Sequence, residues 1–198
     1  MDAAIGVKTR IIRAKFFQRD PVTCARELIG ADLIWGKCVG KIVETEAYLE
    51  HDDEASHTFS RPSARAFIER NRAGAAYIYF SYGAHWMLNV LVKGGTKNGF
   101  VLFRAVEPRR GIELMRKRRG TDDECNLCSG PGKLTQAFDI TDRHHEIDLS
   151  VDPRHCFAYG EDEVDVVADE RIGISRSAHH LWRFTERDSK FVSRPVKS

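Results

Sequence analysis

Apolar positions along the chain mostly come in short runs broken by Gly, Pro, Asn and Asp, with helical spacing in only a few places. Asp20–Gly30 is one of these. Asp20 can cap the helix and Pro21 sits in its first turn. Val22, Ala25, Leu28 and Ile29 form a stripe, and Gly30 ends it. Ala31–Trp35 and Val39–Tyr48 are apolar-rich runs on either side of Gly36-Lys37, which predicts a hairpin. Ala75–Ser81 and His85–Val92 are aromatic and aliphatic strands around Tyr82-Gly83, and Phe100–Val106 is a further strand. Helices are predicted over Ser63–Glu69, Pro108–Arg119 and Lys133–Phe138, the last entered through Gly130-Pro131-Gly132. Short strands follow at Cys156–Tyr159 and Val164–Val167, and Arg171–Ile174 and Leu181–Phe184 are expected to return to the same sheet. The pattern predicts one α+β (mixed α/β) domain whose hairpins favour antiparallel pairing.

Length and composition agree with that picture. A chain of 198 residues can close its own core, and 42% hydrophobic with 30% charged residues is ordinary for a globular domain. The first ~15 and last ~10 residues are expected to be peripheral to it. No apolar run is long enough for a membrane span, and the first residues lack the apolar stretch and cleavage site of a leader. The five cysteines are odd in number and scattered, which points to a reducing compartment and a cytoplasmic protein, nucleoid-associated if bacterial. Nothing suggests an oligomer.

Charge is unevenly placed. Lys93, Lys97, Arg104, Arg109, Arg110, Arg116, Lys117, Arg118 and Arg119 are opposed in their stretch only by Glu107 and Glu113. Arg61, Arg65, Arg70 and Arg72 form a second basic group, whereas Asp139–Glu170 is strongly acidic. Such asymmetry lets one face attract a polyanion, although a solvated helix face explains Arg116–Arg119 equally well.

Two segments carry candidate chemistry. Along Lys41–Tyr48, alternation puts Glu44, Glu46 and Tyr48 on one face of a strand. Two like charges at that spacing, in a partly apolar setting, raise one pKa and suit a general base. The alternation does not choose between Glu44 and Glu46, and both could simply face solvent. Along Tyr77–Asn89, Tyr77, Tyr79 and Ser81 share a face, and Tyr82 stands beside a turn glycine where a rigid wedge could enter a base stack. Tyr77, Phe80 and Trp86 read as core aromatics. Cys125-x-x-Cys128 with His144, His145 and Cys156 downstream has only a superficial zinc spacing, and no metal or other cofactor is expected. His179-His180 reads as surface or sheet-end packing. Gly94–Gly99 lacks the spacing of a phosphate-binding P-loop.

Longer words then decide the matter. Ile42-Val43-Glu44-Thr45-Glu46-Ala47-Tyr48-Leu49, Asp53-Glu54-Ala55-Ser56-His57, Tyr77-Ile78-Tyr79-Phe80-Ser81-Tyr82-Gly83, Val101–Pro108 and Leu127–Leu134, in this order, resemble the alkyladenine (3-methyladenine) DNA glycosylase family. The resemblance spans roughly Phe17 to Phe184. It implies a curved, mostly antiparallel sheet with a protruding hairpin that enters DNA, and a monofunctional, cofactor-free enzyme acting on double-stranded DNA that contains damaged purines. Among the residues, it implies Glu46 as the base that activates water and Arg104 as its neighbour at the nucleotide backbone. Tyr48 and Tyr79 would stack on the flipped base, His57 would contact it at the pocket floor, and Tyr82 would intercalate. Asn89 would tune purine selectivity and Ile172 would lie near the DNA and the base. Two departures bear on grip and substrate range: Ser63-Ala64-Arg65-Ala66 lacks the family's asparagine, and Ala84 replaces a methionine after Tyr-Gly.

Overall fold

The computed structural model describes residues 10–81, 83–161 and 163–196. Its frame is one eight-stranded sheet in which every pairing is antiparallel. The strands are β1 (Asp32–Trp35), β2 (Cys38–Leu49), β3 (Ala76–Ser81), β4 (His85–Val92), β5 (Gly99–Arg110), β6 (His155–Ala158), β7 (Val166–Asp169) and β8 (Arg183–Glu186). Their order is β3-β4-β5-β2-β1-β6. The short β8 also pairs with β2 over residues 44–46, and β7 pairs with β8.

β2 is therefore central. β5 runs along one side of nearly its whole length, while β1 and β8 share the other side. Register shifts between Ile42 and Glu44 and between Glu44 and Thr45 bend it at the acidic residues. Such bulges re-aim side chains near functional sites.

The helices are α1 (Pro21–Glu27), α2 (His57–Ser60), α3 (Pro62–Arg70), α4 (Ile112–Arg119) and α5 (Pro131–Phe138). Asp20 caps α1 as its sequence requires, accepting from the amides of Val22 and Thr23. α1 and α5 cover the sheet over a core that includes Leu28, Leu33, Phe103, Leu134, Phe138 and Phe157. The Phe103 and Phe157 rings stack with centroids 4.6 Å apart. A second apolar cluster, containing Phe67, Ile68, Tyr77 and Phe100, seats α3 against the hairpin strands.

Two predicted elements change and one unpredicted helix appears. The helix expected from Pro108 begins only at Ile112, because β5 continues to Arg110, with Pro108 opposite Gly40 in the ladder. Gly111, at φ +77°, makes the break. Arg171–Ile174 is a bend and not a strand. Its Ile172 amide bonds a side chain instead of a ladder carbonyl, and Gly173 is left-handed at φ +76°. The turn α2 escaped the pattern because it is four residues long, started by Ser56 accepting from the Thr58 amide.

The C-terminal stretch is also less peripheral than expected. Phe191 is buried with Val43 and Ala105, and Ser193 reaches the centre of the sheet. Among the described residues, no helix is long and apolar enough to cross a membrane.

Candidate active site

Glu44 and Glu46 do not face solvent: both are 0% exposed. Each is neutralised from within the chain, which replaces the like-charge arrangement that the strand alone suggested. Arg104, on the neighbouring β5, donates from Nε to Glu44 Oε1 at 2.9 Å and from a terminal nitrogen to Glu46 Oε2 at 3.3 Å. One guanidinium thus spans the pair.

The remaining partners separate the two acids. Glu44 also accepts from Arg183 Nε (2.8 Å), Ser193 Oγ (2.8 Å) and the Ser193 amide (2.5 Å). With Arg104 that makes four donors, three on Oε1 and the Ser193 amide on Oε2. Glu46 accepts from Arg104, from the Tyr48 hydroxyl (2.7 Å) and, at Oε1, from the Ile172 amide (2.7 Å). With a single donor, Glu46 Oε1 retains acceptor capacity.

A cavity of about 600 Å³ opens beside this pair. Tyr48, His57, Tyr79, Asn89, Arg104 and Ile172 all line it, so the structure brings six of the predicted residues together. Glu46 itself lies behind the wall, and all three residues that bond it form part of that wall. Tyr82 falls outside the described residues.

Burial, reinforced by the Glu46 charge, lifts the Tyr48 hydroxyl well above the usual phenol range. It therefore keeps its proton and donates. The His57 ring lies 4.2 Å from that of Tyr79, with Nδ1 3.3 Å from the Tyr77 hydroxyl. Burial and the nearby Arg61 charge push the His57 pKa down to about 4, leaving a neutral imidazole at pH 7. Asn89, 4% exposed, donates its amide hydrogens to the carbonyls of Tyr77 and Met87 at 3.1 and 3.5 Å, which leaves its amide oxygen as the free polar group.

Several contributors were not visible in the sequence pattern. Asp53 holds Arg171 through two bonds of 2.7 and 2.8 Å. Arg171 also bonds the Ala47 carbonyl at 3.0 Å and lies over the Tyr48 ring at 4.6 Å. This pair anchors the bend that presents the Ile172 amide to Glu46. Tyr77, read as a core aromatic, is buried and also lines the cavity. Phe80 differs from its core reading: it is 49% exposed, against Trp86 near the tip of the hairpin. His180 stacks on Trp182 at 3.9 Å, in line with its packing role.

The basic run from Lys93 is divided: Lys97, Arg109, Arg110 and Lys117 are exposed, and the others bond within the protein. Lys93 bonds the last carbonyls of α3, at Ile68, Glu69 and Asn71. Arg118 and Arg119 bond the carbonyls of Ala137 and Leu127, and Arg116 pairs with Glu113 and Glu124. Cys128, in the Cys-x-x-Cys word, is buried with its sulfur 4.0 Å from that of Met115.

Comparison with known proteins gives the chain a family. The family model described as Methylpurine-DNA glycosylase (MPG) matches residues 15–190. The chain belongs to the methylpurine-DNA glycosylase family. A relative from Rhodopseudomonas palustris (strain HaA2), provisionally named 3-methyladenine DNA glycosylase, is 44% identical over 94% of this chain and 92% of its own length. Relatives of the same name from Nitrosospira multiformis and Agrobacterium fabrum are 44% and 45% identical, covering 91% and 90% of this chain and 93% and 90% of theirs. As a member of the family the protein is a DNA glycosylase, a hydrolase of alkylation repair.

Proposed function

We infer that this glycosylase hydrolyses the N-glycosidic bond of 3-methyladenine and 7-methylguanine in double-stranded DNA, and extends to hypoxanthine and ethenoadenine. The product is an abasic site in an uncut strand, and the protein works as a monomer without a cofactor. One observation carries the reading: a buried carboxylate, Glu46, keeps one acceptor position at the wall of an aromatic cavity large enough for a purine nucleotide.

In the proposed reaction the damaged nucleotide rotates out of the helix into the cavity. Tyr48 and Tyr79 stack on its base, and contacts of this kind are worth about 1–3 kcal/mol each. The C–N bond breaks first and the purine leaves with the bonding electrons, giving a cationic sugar that the Glu46 charge stabilises. A water then attacks the anomeric carbon as Glu46 Oε1 accepts its proton. Arg104 fixes the carboxylate and supports the nucleotide backbone.

For a cationic alkylpurine the leaving group is already activated. A neutral lesion needs polar contacts, which neutral His57 and the Asn89 amide oxygen can make. The Asn89 oxygen also disfavours a base that presents an acceptor to it. Ile172 packs beside the base, and Tyr82 is proposed to fill the gap left in the duplex, with Ala84 giving a smaller apolar tip than the family's methionine. Among the described residues no lysine lines the cavity, which supports hydrolysis without Schiff-base strand cleavage.

The deciding experiment is single-turnover excision on duplexes carrying each of the four lesions, with strand breaks scored before and after alkali. Base release followed by alkali-dependent breaks is expected. Absence of release from the 3-methyladenine and 7-methylguanine duplexes, or breaks without alkali, overturns the reading.

A further inference from the structure

Resting on that reading, a second class of ligand site can be assigned at the rim of the cavity. Its lining includes three cationic side chains, Arg61, Arg104 and Arg194, and no carboxylate. Arg104 is engaged by Glu44 and Glu46. Arg61 and Arg194 are both exposed, and neither forms an ion pair with an acidic residue among those described. Their charge is directed to the cavity and its mouth and is not balanced there by the protein.

Neither side chain sits on a free-swinging segment. Arg61 directly precedes α3, and its guanidinium carbon lies 5.7 Å from the centre of the Tyr79 ring, on the wall that holds His57. Its charge reaches His57, whose basicity it helps to lower. Arg194 follows Ser193, whose amide and hydroxyl are both bound to Glu44, and the Arg194 carbonyl accepts from Arg183. Arg183 is 1% exposed, so a buried ion-pair network holds the backbone that delivers Arg194. Arg104 adds a bond of 3.3 Å to Ser193 Oγ. The C-terminal segment is thereby tied to the same acid–arginine cluster that places Glu46.

A nucleotide turned into this cavity brings the phosphates on its own strand to the rim. Guanidinium groups bind such oxygens through paired N–H donors and keep their charge at any working pH. We propose that Arg194 and Arg61 are phosphate-binding residues for the strand that carries the flipped nucleotide, one on the Glu44–Arg104 wall and the other on the His57–Tyr79 wall. In α4, Arg116, Arg118 and Arg119 are bonded within the protein, and none of its residues lines the cavity.

The test is the salt dependence of binding to a lesion duplex, measured with wild type, Arg194→Gln, Arg61→Gln, the double variant and Arg194→Lys. Removing one cation from a DNA phosphate lowers the slope of log affinity against log salt by about 0.9 in duplex DNA. Each single glutamine variant is expected to drop by about one such step, the double variant by about two, and Arg194→Lys by almost nothing. Thermal melting of each variant checks that the fold is kept. An unchanged slope in the double variant, or weaker binding at constant slope, overturns the proposal. If wild type itself fails to bind and excise, the functional reading fails instead, and the two failures are told apart on the same samples.

Discussion

Arg171 grips Asp53 with two nearly equal hydrogen bonds, 2.7 and 2.8 Å, and both side chains are fully withdrawn from solvent. The pair links the loop after β2 to the bend whose Ile172 amide holds Glu46. Removing one member leaves a buried charge without its partner, which costs about 3–5 kcal/mol. Asp53→Asn and Arg171→Met are therefore each expected to lower the denaturation free energy by that order, read by urea unfolding. Where folded protein remains, excision should fall more than lesion binding.

Glu46→Gln keeps the shape of the site but removes the proton acceptor. Single-turnover excision of 3-methyladenine is expected to fall by about 100-fold or more, the lower range for losing a general base. Lesion-duplex affinity, measured by anisotropy, should stay near that of wild type. A rate within a few-fold of wild type would remove Glu46 from the mechanism. Glu44→Gln should act differently. Glu44 orders Arg104, Arg183 and Ser193, so its loss should appear first in stability.

The His57 imidazole is held neutral, with its pKa down near 4 from an ordinary 6.5. Between those values the unfolded chain binds the proton and the folded one does not, so stability rises with pH across the window. Conversely, the contribution is lost as pH falls from about 6.5 towards 4. His57→Gln should flatten this part of the stability–pH curve. An NMR titration of wild type should place the His57 midpoint near 4.

Gly132 lies under the hairpin, and a methyl group there would meet the His85 ring at 2.6 to 3.0 Å. Gly132→Ala must push the start of β4 away from α5. Overpacking of this kind costs about 1–3 kcal/mol, measurable by urea unfolding. Lesion affinity should fall with it, because the displaced hairpin carries Tyr79 on one strand and Asn89 on the other.

Local signals account for what could be read from the sequence. Period-two alternation placed Glu44, Glu46 and Tyr48 on one face, and the cap and stripe of Asp20–Ile29 defined α1, because these depend only on near neighbours. Whether the two acids met water depended on Arg104 and on Arg183, which is 139 residues from Glu44. No spacing rule reaches that far. The resemblance singled out Glu46 but gave no physical ground for the choice; the cavity provides one, because all three partners of Glu46 line it whereas Arg183 and Ser193, which hold Glu44, do not. The partners of the basic run were hidden for the same reason: Lys93 and Arg119 find backbone carbonyls of other elements, and sequence proximity cannot reveal such partners. Pro108 was read as a helix start, although β5 tolerates it opposite Gly40.

The place of β2 in the sheet has a consequence for how the enzyme can search DNA. Strands bonded on both edges are the last to open. Glu46 thus belongs to the stiffest part of the molecule, and the bend at Ile172 and the segment at Arg194 are tied to it through Asp53–Arg171 and Glu44. Each nucleotide tried in the cavity therefore meets one fixed geometry, with the reactive acid never shifted from its aim.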